Sequence, residues 1–149
     1  MDVLAVVTVV AVGLLVGVEL AVAVFVNPIL DRLPGDAGLA ARSDGARVLG
    51  RVMPFWYSGA IVLGIAWLVL AWGGPGVVPV AVASGLLVLA ILASILLLVP
   101  INDRVRTWSV GNAPADWREQ VGRWDRLHYG RVALLVAAFA LVAVGLLAA

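Results

Sequence analysis

Four apolar runs decide what this chain can become: Val3 to Val26, Val52 to Trp72, Val77 to Val99 and Val132 to Ala149. Each is close to the ~20 residues that a helix needs to cross the hydrocarbon core of a bilayer. Backbone N–H and C=O groups find no water in lipid, so such runs span as helices even when rich in valine. With 64% of its residues hydrophobic and 13% charged, the chain lies outside the range of soluble domains. The expected fold is therefore all-α, an integral membrane four-helix bundle in one domain. Its helices should lie at about 3–27, 52–72, 77–99 and 129–149, with polar segments at 28–51 and 100–128. The first run follows Asp2 instead of a basic stretch and is too long for a cleaved signal, so it is expected to stay as the first helix.

Charge placement sets the orientation. All ten basic residues are arginines; four fall at 32–51, six at 104–131, and "GGPG" at 73–76 has none. The positive-inside rule then predicts cytoplasmic arginine-bearing segments, both termini extracytoplasmic, and a cell-membrane, multi-pass protein. The chain has no cysteine, which excludes disulfides, thiolate ligands and a four-helix membrane thiol oxidoreductase. It shows no glycine-rich phosphate loop, zinc-ligand spacing or solenoid period.

Pro28 and Pro100 are expected to end helices 1 and 3. Leu39 to Leu49 reads as a short interfacial helix. Asp116 reads as an N-cap with Glu119 completing a variant capping box, from which a helix can run unbroken into the last span.

Glu19 stands inside the first run, about eight residues or about 12 Å before the proline. A carboxylate at that depth costs ~2.5 to 3.5 kcal/mol on insertion scales, so an intramembrane acid is by default a functional hypothesis. In a regular helix Val26 falls in line with Glu19, and Asn27 is rotated from it by about 80°. A second concentration of polar groups is "RWDRLHYG", residues 123–130, which holds the single histidine of the chain. At helical spacing Trp124, His128 and Arg131 share one face, with Trp117 and Arg118 near the same stripe. An interfacial belt of aromatics and arginines facing anionic lipid explains Trp117, Arg118, Arg126 and Tyr129; it explains His128 poorly. The expected site is a cavity open to the cytoplasm, with Glu19 at its floor and Asn102, His128 and Arg131 around its mouth, joined by Asn27. His128 is expected at the rim above Glu19, so that direct contact needs a funnel, a tilt or a bridging substrate.

The stretches "FVNPILDRLP", "RVMPFWY", "VPINDRVRTW" and "PADWREQVGRWDRLHYGR" together resemble the anthrone oxygenase-like family of small four-helix membrane proteins. The resemblance covers nearly the whole chain and implies oxidation of anthrone-type substrates by O2 without an identified organic cofactor. It carries over Asn102, Arg104, Trp117, Trp124, His128 and Arg131 as site residues. A mechanism consistent with it needs no metal. His128 would be the base, Arg131 or Asn102 would stabilise the oxyanion, Trp124 would stack on the substrate rings, and Glu19 would relay the proton. Arg104, Trp117 and Asn27 would help bind substrate.

Other readings remain open at this level. His128 could be a haem axial ligand, or with Glu19 hold a single metal ion. Glu19 could serve a small proton-coupled exporter, which the long segment 100–131 and the arginine asymmetry disfavour. A non-catalytic, partner-binding role has Gly13-x-x-x-Gly17 in its favour. The expected partners are the lipid bilayer, a lipophilic small molecule and O2, without nucleic acid. Oligomeric state stays open, a homo-oligomer included.

Overall fold

A computed structural model describes residues 2–149. Four helices long and apolar enough to cross a membrane make up most of them: α1 (Val3–Asp31), α2 (Ala37–Leu70), α3 (Val77–Val105) and α4 (Trp117–Ala148). The protein is an all-helical, multi-pass membrane bundle. Each helix packs on its two neighbours in a ring, α1 on α2 and α4, and α3 on α2 and α4. The tight turn between α2 and α3 lies beside the C-terminal end of α4. There a Cβ added to Gly76 would meet the Gly145 carbonyl at 2.5 Å, so the two backbones touch through glycine. The arginine-bearing segments gather at the opposite end.

Two apolar cores are stacked along the bundle. The larger, at the turn end, includes Val12, Leu15, Trp67, Val80, Leu87 and Leu135. The smaller, at the arginine end, joins Leu39, Ile101, Val105, Trp108 and Val121. Lipid tails are as apolar as leucine, so packing and not exclusion from water holds such helices together. Ala60, Ala83, Ala90 and Ala138, all buried, permit the close approach that packing requires. Of the Gly13-x-x-x-Gly17 pair, only Gly13 lies against another helix, with the Phe139 ring 2.9 Å from where its Cβ would stand.

The prolines do not end their helices. A segment of π-helix precedes each, Val22–Val26 before Pro28 and Ser94–Leu98 before Pro100, and helix continues to Asp31 and Val105. The extra residue of a π segment accommodates a ring that would clash with the preceding turn. The insertion has two consequences. It shifts the helical phase by about one residue, or about 100°. Asn27 therefore turns inward and is buried, while Val26 is exposed, the reverse of what a regular helix predicts. It also orphans a carbonyl: the Asn27 N–H bonds to Val22 O and Pro28 has no N–H, leaving Ala23 O without a helical donor. The Tyr129 hydroxyl donates to that oxygen at 2.8 Å. Tyr129 is thus more than a belt residue.

The segment Leu39 to Leu49 is not a separate interfacial helix, since α2 runs through it and through Pro54. Asp116 does precede α4, but its side chain makes no capping bond and accepts from Gln120 instead, at 3.1 and 3.2 Å. At 34 and 32 residues, α2 and α4 are about 50 Å long at 1.5 Å per residue, well beyond the ~30 Å hydrocarbon core. Their N-terminal thirds, at the arginine end, precede the apolar runs that begin at Val52 and Val132.

Candidate functional site

Between the two cores each helix contributes a polar side chain to one cluster. From α1 comes Glu19, from α2 Tyr57, from α3 Ser94, and from α4 His128 and Arg131. Glu19 is only 3% exposed, yet its carboxylate is fully engaged. Oε1 accepts from the Tyr57 hydroxyl at 2.9 Å, and Oε2 accepts from Arg131 Nη2 at 2.7 Å. Arg131 Nη1 donates to Ser94 Oγ at 3.1 Å. The intramembrane charge is thus neutralised by a guanidinium from the neighbouring helix α4, the arrangement that makes a buried ion tolerable.

His128 does not sit at a rim above Glu19. It is 1% exposed and lies beside it, with Nδ1 3.3 Å from Glu19 Oε2. α4 begins at Trp117 and packs along α1, which brings the imidazole down to the level of the acid. Its tautomer follows from its partners. Nε2 lies 3.1 Å from the Glu19 backbone carbonyl, which can only accept, so Nε2 carries the proton. Nδ1 lies 2.9 Å from Arg131 Nη2, which can only donate, so Nδ1 presents a lone pair. The ring is neutral, and its Nδ1 shares the Nη2 donor with Glu19. Trp124, one turn earlier, stacks on the imidazole with centroids 4.6 Å apart. The guanidinium also stands 5.8 Å from the Tyr57 ring and 5.9 Å from the Trp124 ring, within cation–π range.

This cluster lines a cavity of about 380 Å³ whose walls come from all four helices. Val18, Val22, Met53, Ile91 and Leu98 make it largely apolar. Two buried donors on its lining residues, Arg131 Nε and Trp124 Nε1, have no protein partner. An apolar chamber with a few convergent polar groups is the usual form of a small-molecule site.

The structure separates the sequence-derived candidates. Glu19, Asn102, Trp124, His128 and Arg131 line the cavity. Asn102 borders it with its amide donating to Ala46 O at 3.2 Å. Asn27 lines an adjoining pocket of about 80 Å³, bordered by Asn102 and Trp124 as well. Arg104 is exposed and bonds back to Pro100 O at 3.1 Å. Trp117 lies under the Arg118 guanidinium on a different pocket. Neither reaches the cavity.

Sequence reasoning passed over Tyr57 and Ser94, whose signal was a hydrogen-bonding side chain inside an apolar run. It also passed over a second polar assembly. Arg42, its side chain 6% exposed, bonds Asp31 of α1 at 2.8 Å and Asp125 of α4 at 2.8 Å, and Asn27 donates to the same Asp125 at 2.8 Å. Among the described residues no three or more His, Cys, Asp or Glu side chains converge as a metal site.

No curated protein and no solved structure matches the chain. The sequence profile of the family described as anthrone oxygenase matches residues 51–141. That range is more than half of the chain and includes Tyr57, Ser94, Asn102, Trp124, His128 and Arg131, while Glu19 and Asn27 precede it. With the four-helix architecture, this match establishes that the chain belongs to the anthrone oxygenase family.

Proposed function

We propose that the protein is a membrane-embedded oxygenase that uses O2 to oxidise a lipophilic, enolisable aromatic of the anthrone type. In this reading the reaction takes place in the 380 Å³ cavity, in the half of the bundle nearer the cytoplasm. The observation that carries the proposal is the His128–Arg131–Glu19 cluster on the wall of an apolar chamber, in a chain of this family.

The chemistry follows from the geometry. An anthrone carries a doubly benzylic C–H whose conjugate base is an aromatic phenolate, so a positioned base can remove the proton. In the free protein the lone pair of His128 Nδ1 is held by Arg131. A developing oxyanion draws the guanidinium towards itself, and Arg131 Nε–H, without a protein partner, is a further donor to it. Nδ1 is then free to take the benzylic proton, and the imidazolium N–H meets Glu19 Oε2, already 3.3 Å away. The carbanion passes its electrons to O2, a carbon–oxygen bond forms, and protonation gives a hydroperoxide. Loss of the second benzylic proton with cleavage of the O–O bond releases water and leaves a carbonyl. The substrate loses two hydrogens and gains one oxygen for each O2 consumed. Trp124 and Asn102 hold the ring system.

The alternatives make distinct predictions. Both ring nitrogens of His128 already have protein partners, which disfavours a haem or metal ligand; a Soret band or bound metal in purified protein would reverse that judgement. Glu19 paired with Arg131 is a poor exchanger of protons for cations, which disfavours an exporter. The deciding experiment is O2 uptake and quinone formation from an anthrone by the protein in nanodiscs. His128→Asn and Arg131→Met should each lose about a hundredfold or more, the scale of general-base and oxyanion contributions. Activity within a few-fold of the parent in His128→Asn refutes the assignment.

A further inference from the structure

The helices that enclose the cavity do not close it evenly. α2 meets α3 at the turn end, where a Cβ on Gly64 would stand 2.8 Å from Ser84 Oγ. They meet again at the arginine end, where Asn102 bonds Ala46 O. Between these contacts the π segment Ser94–Leu98 packs on α4 and leaves α2. Pro54 and Ser58 of α2 and Ile95 and Val99 of α3 line the cavity here and are also exposed on the outer surface. The surface around them is apolar and exposed, with Phe55 at 82% and Leu96 at 71%. In a membrane protein that surface is the lipid face, so part of the chamber wall stands directly against the bilayer.

The same crevice carries backbone acceptors without helical donors. Pro54 stands inside α2 and has no N–H, so the Gly50 carbonyl lacks its usual partner. In α3 the Val99 N–H bonds to Ser94 O and Pro100 has no N–H, so Ile95 O is orphaned as Ala23 O is in α1. Ala23 O is rescued by Tyr129; no side chain donates to Gly50 O or Ile95 O among the described residues. Both belong to residues that line the cavity. Unpaired carbonyls at membrane depth are costly and persist where they line a cavity.

We propose that the cavity is loaded from the bilayer through the crevice between α2 and α3, and that Gly50 O and Ile95 O select molecules bearing a hydroxyl donor. The proposal rests on the cavity being the substrate site, and deepens that reading by naming the route and the recognised group. Any lipophile that lacks a donor leaves these acceptors unsatisfied when it passes.

The chain has no cysteine, so a single Ser94→Cys reports on the chamber wall in proteoliposomes of a zwitterionic phosphatidylcholine. The lipophilic probe N-(1-pyrenyl)maleimide should label it at least about tenfold faster than a charged, impermeant maleimide, reflecting partition into the bilayer. Adding Ser58→Trp or, separately, Ile95→Trp at the exposed lips should slow pyrenylmaleimide labelling; equal labelling by both reagents, or no slowing by either tryptophan, overturns the route. At equal membrane concentration, 1-naphthol should protect the cysteine about tenfold better than 1-methoxynaphthalene, the scale of one hydrogen bond. Pro54→Ala with Pro100→Ala, which restores both N–H groups, should bring the two within about twofold of each other. Equal protection in the parent overturns the selection. Labelling and protection need no turnover, so a protein that behaves this way but oxidises nothing sinks the proposed reaction alone.

Discussion

Glu19 and Arg131 form one buried ion pair, which bears on stability as well as on the proposed chemistry. Removing one partner of a buried pair leaves the other charge uncompensated and costs about 3–5 kcal/mol, whereas removing both costs far less. Glu19→Gln and Arg131→Gln should therefore each lower thermal stability in detergent, and the double variant should recover most of the loss. Additive losses would mean that the two side chains do not stabilise one another. His128 is in the same position: buried and held at both nitrogens, it contributes packing besides its proposed role, so His128→Ala is expected to destabilise the fold. Asn, which keeps polar atoms near the same places, is the better probe of its role. Tyr57→Phe should cost about 1.5–3 kcal/mol, because its hydroxyl donates to a charged acceptor. A neutral result would place the phenol outside the cluster's balance.

At the scale of elements, the π segments and their prolines shape the interior. Tyr129→Phe should destabilise by about 1–3 kcal/mol, the cost of a buried acceptor left alone. In a Pro28→Ala background, where a backbone N–H is available again, the same change should be close to neutral. An unchanged Tyr129→Phe penalty in that background would show that the hydroxyl does something other than serve the orphaned carbonyl. Arg42 plays a comparable part among helices, joining α2 to Asp31 of α1 and Asp125 of α4. Asp125 is three residues before His128, so the clasp fixes the rotation of α4 that presents Trp124, His128 and Arg131. Arg42→Ala should cost about 3 kcal/mol, as two carboxylates lose their shared cation, and unfolding in detergent measures it. A shift in the melting transition no larger than that of an exposed arginine variant would remove the clasp from the account.

For the whole molecule, arginines confined to one end of the bundle are the feature that orients it. On that ground we propose that the arginine end faces the cytoplasm, with both termini and the α2–α3 turn outside. Cysteines at Trp72 and Asp44, both exposed, should react with an impermeant maleimide from opposite sides of the membrane, Trp72 from outside in intact cells. Reaction of both from the same side refutes the four-span arrangement, and reaction of Asp44 alone from outside inverts it.

The number of spans, their helical nature and the family were legible in the residues themselves. Apolar length and the hydrogen-bonding demands of lipid leave a chain of this kind no other regular structure, and these are local properties. The polar residue types of the cluster were equally visible: an acid in α1, and a tryptophan, a histidine and an arginine on one face of α4. What required the tertiary structure was their meeting. Glu19 touches His128 because α4 packs along α1 with the imidazole at the level of the acid, a depth relation between helices that hydropathy does not encode. Asn27 faces inward and Val26 outward because a π segment shifts the helical phase, and a regular periodicity assigns them the other way round. Arg104 and Trp117 share the motif of the site residues but not their direction. Spacing along one helix sets which side chains share a face; only the packing of four helices decides what that face looks upon.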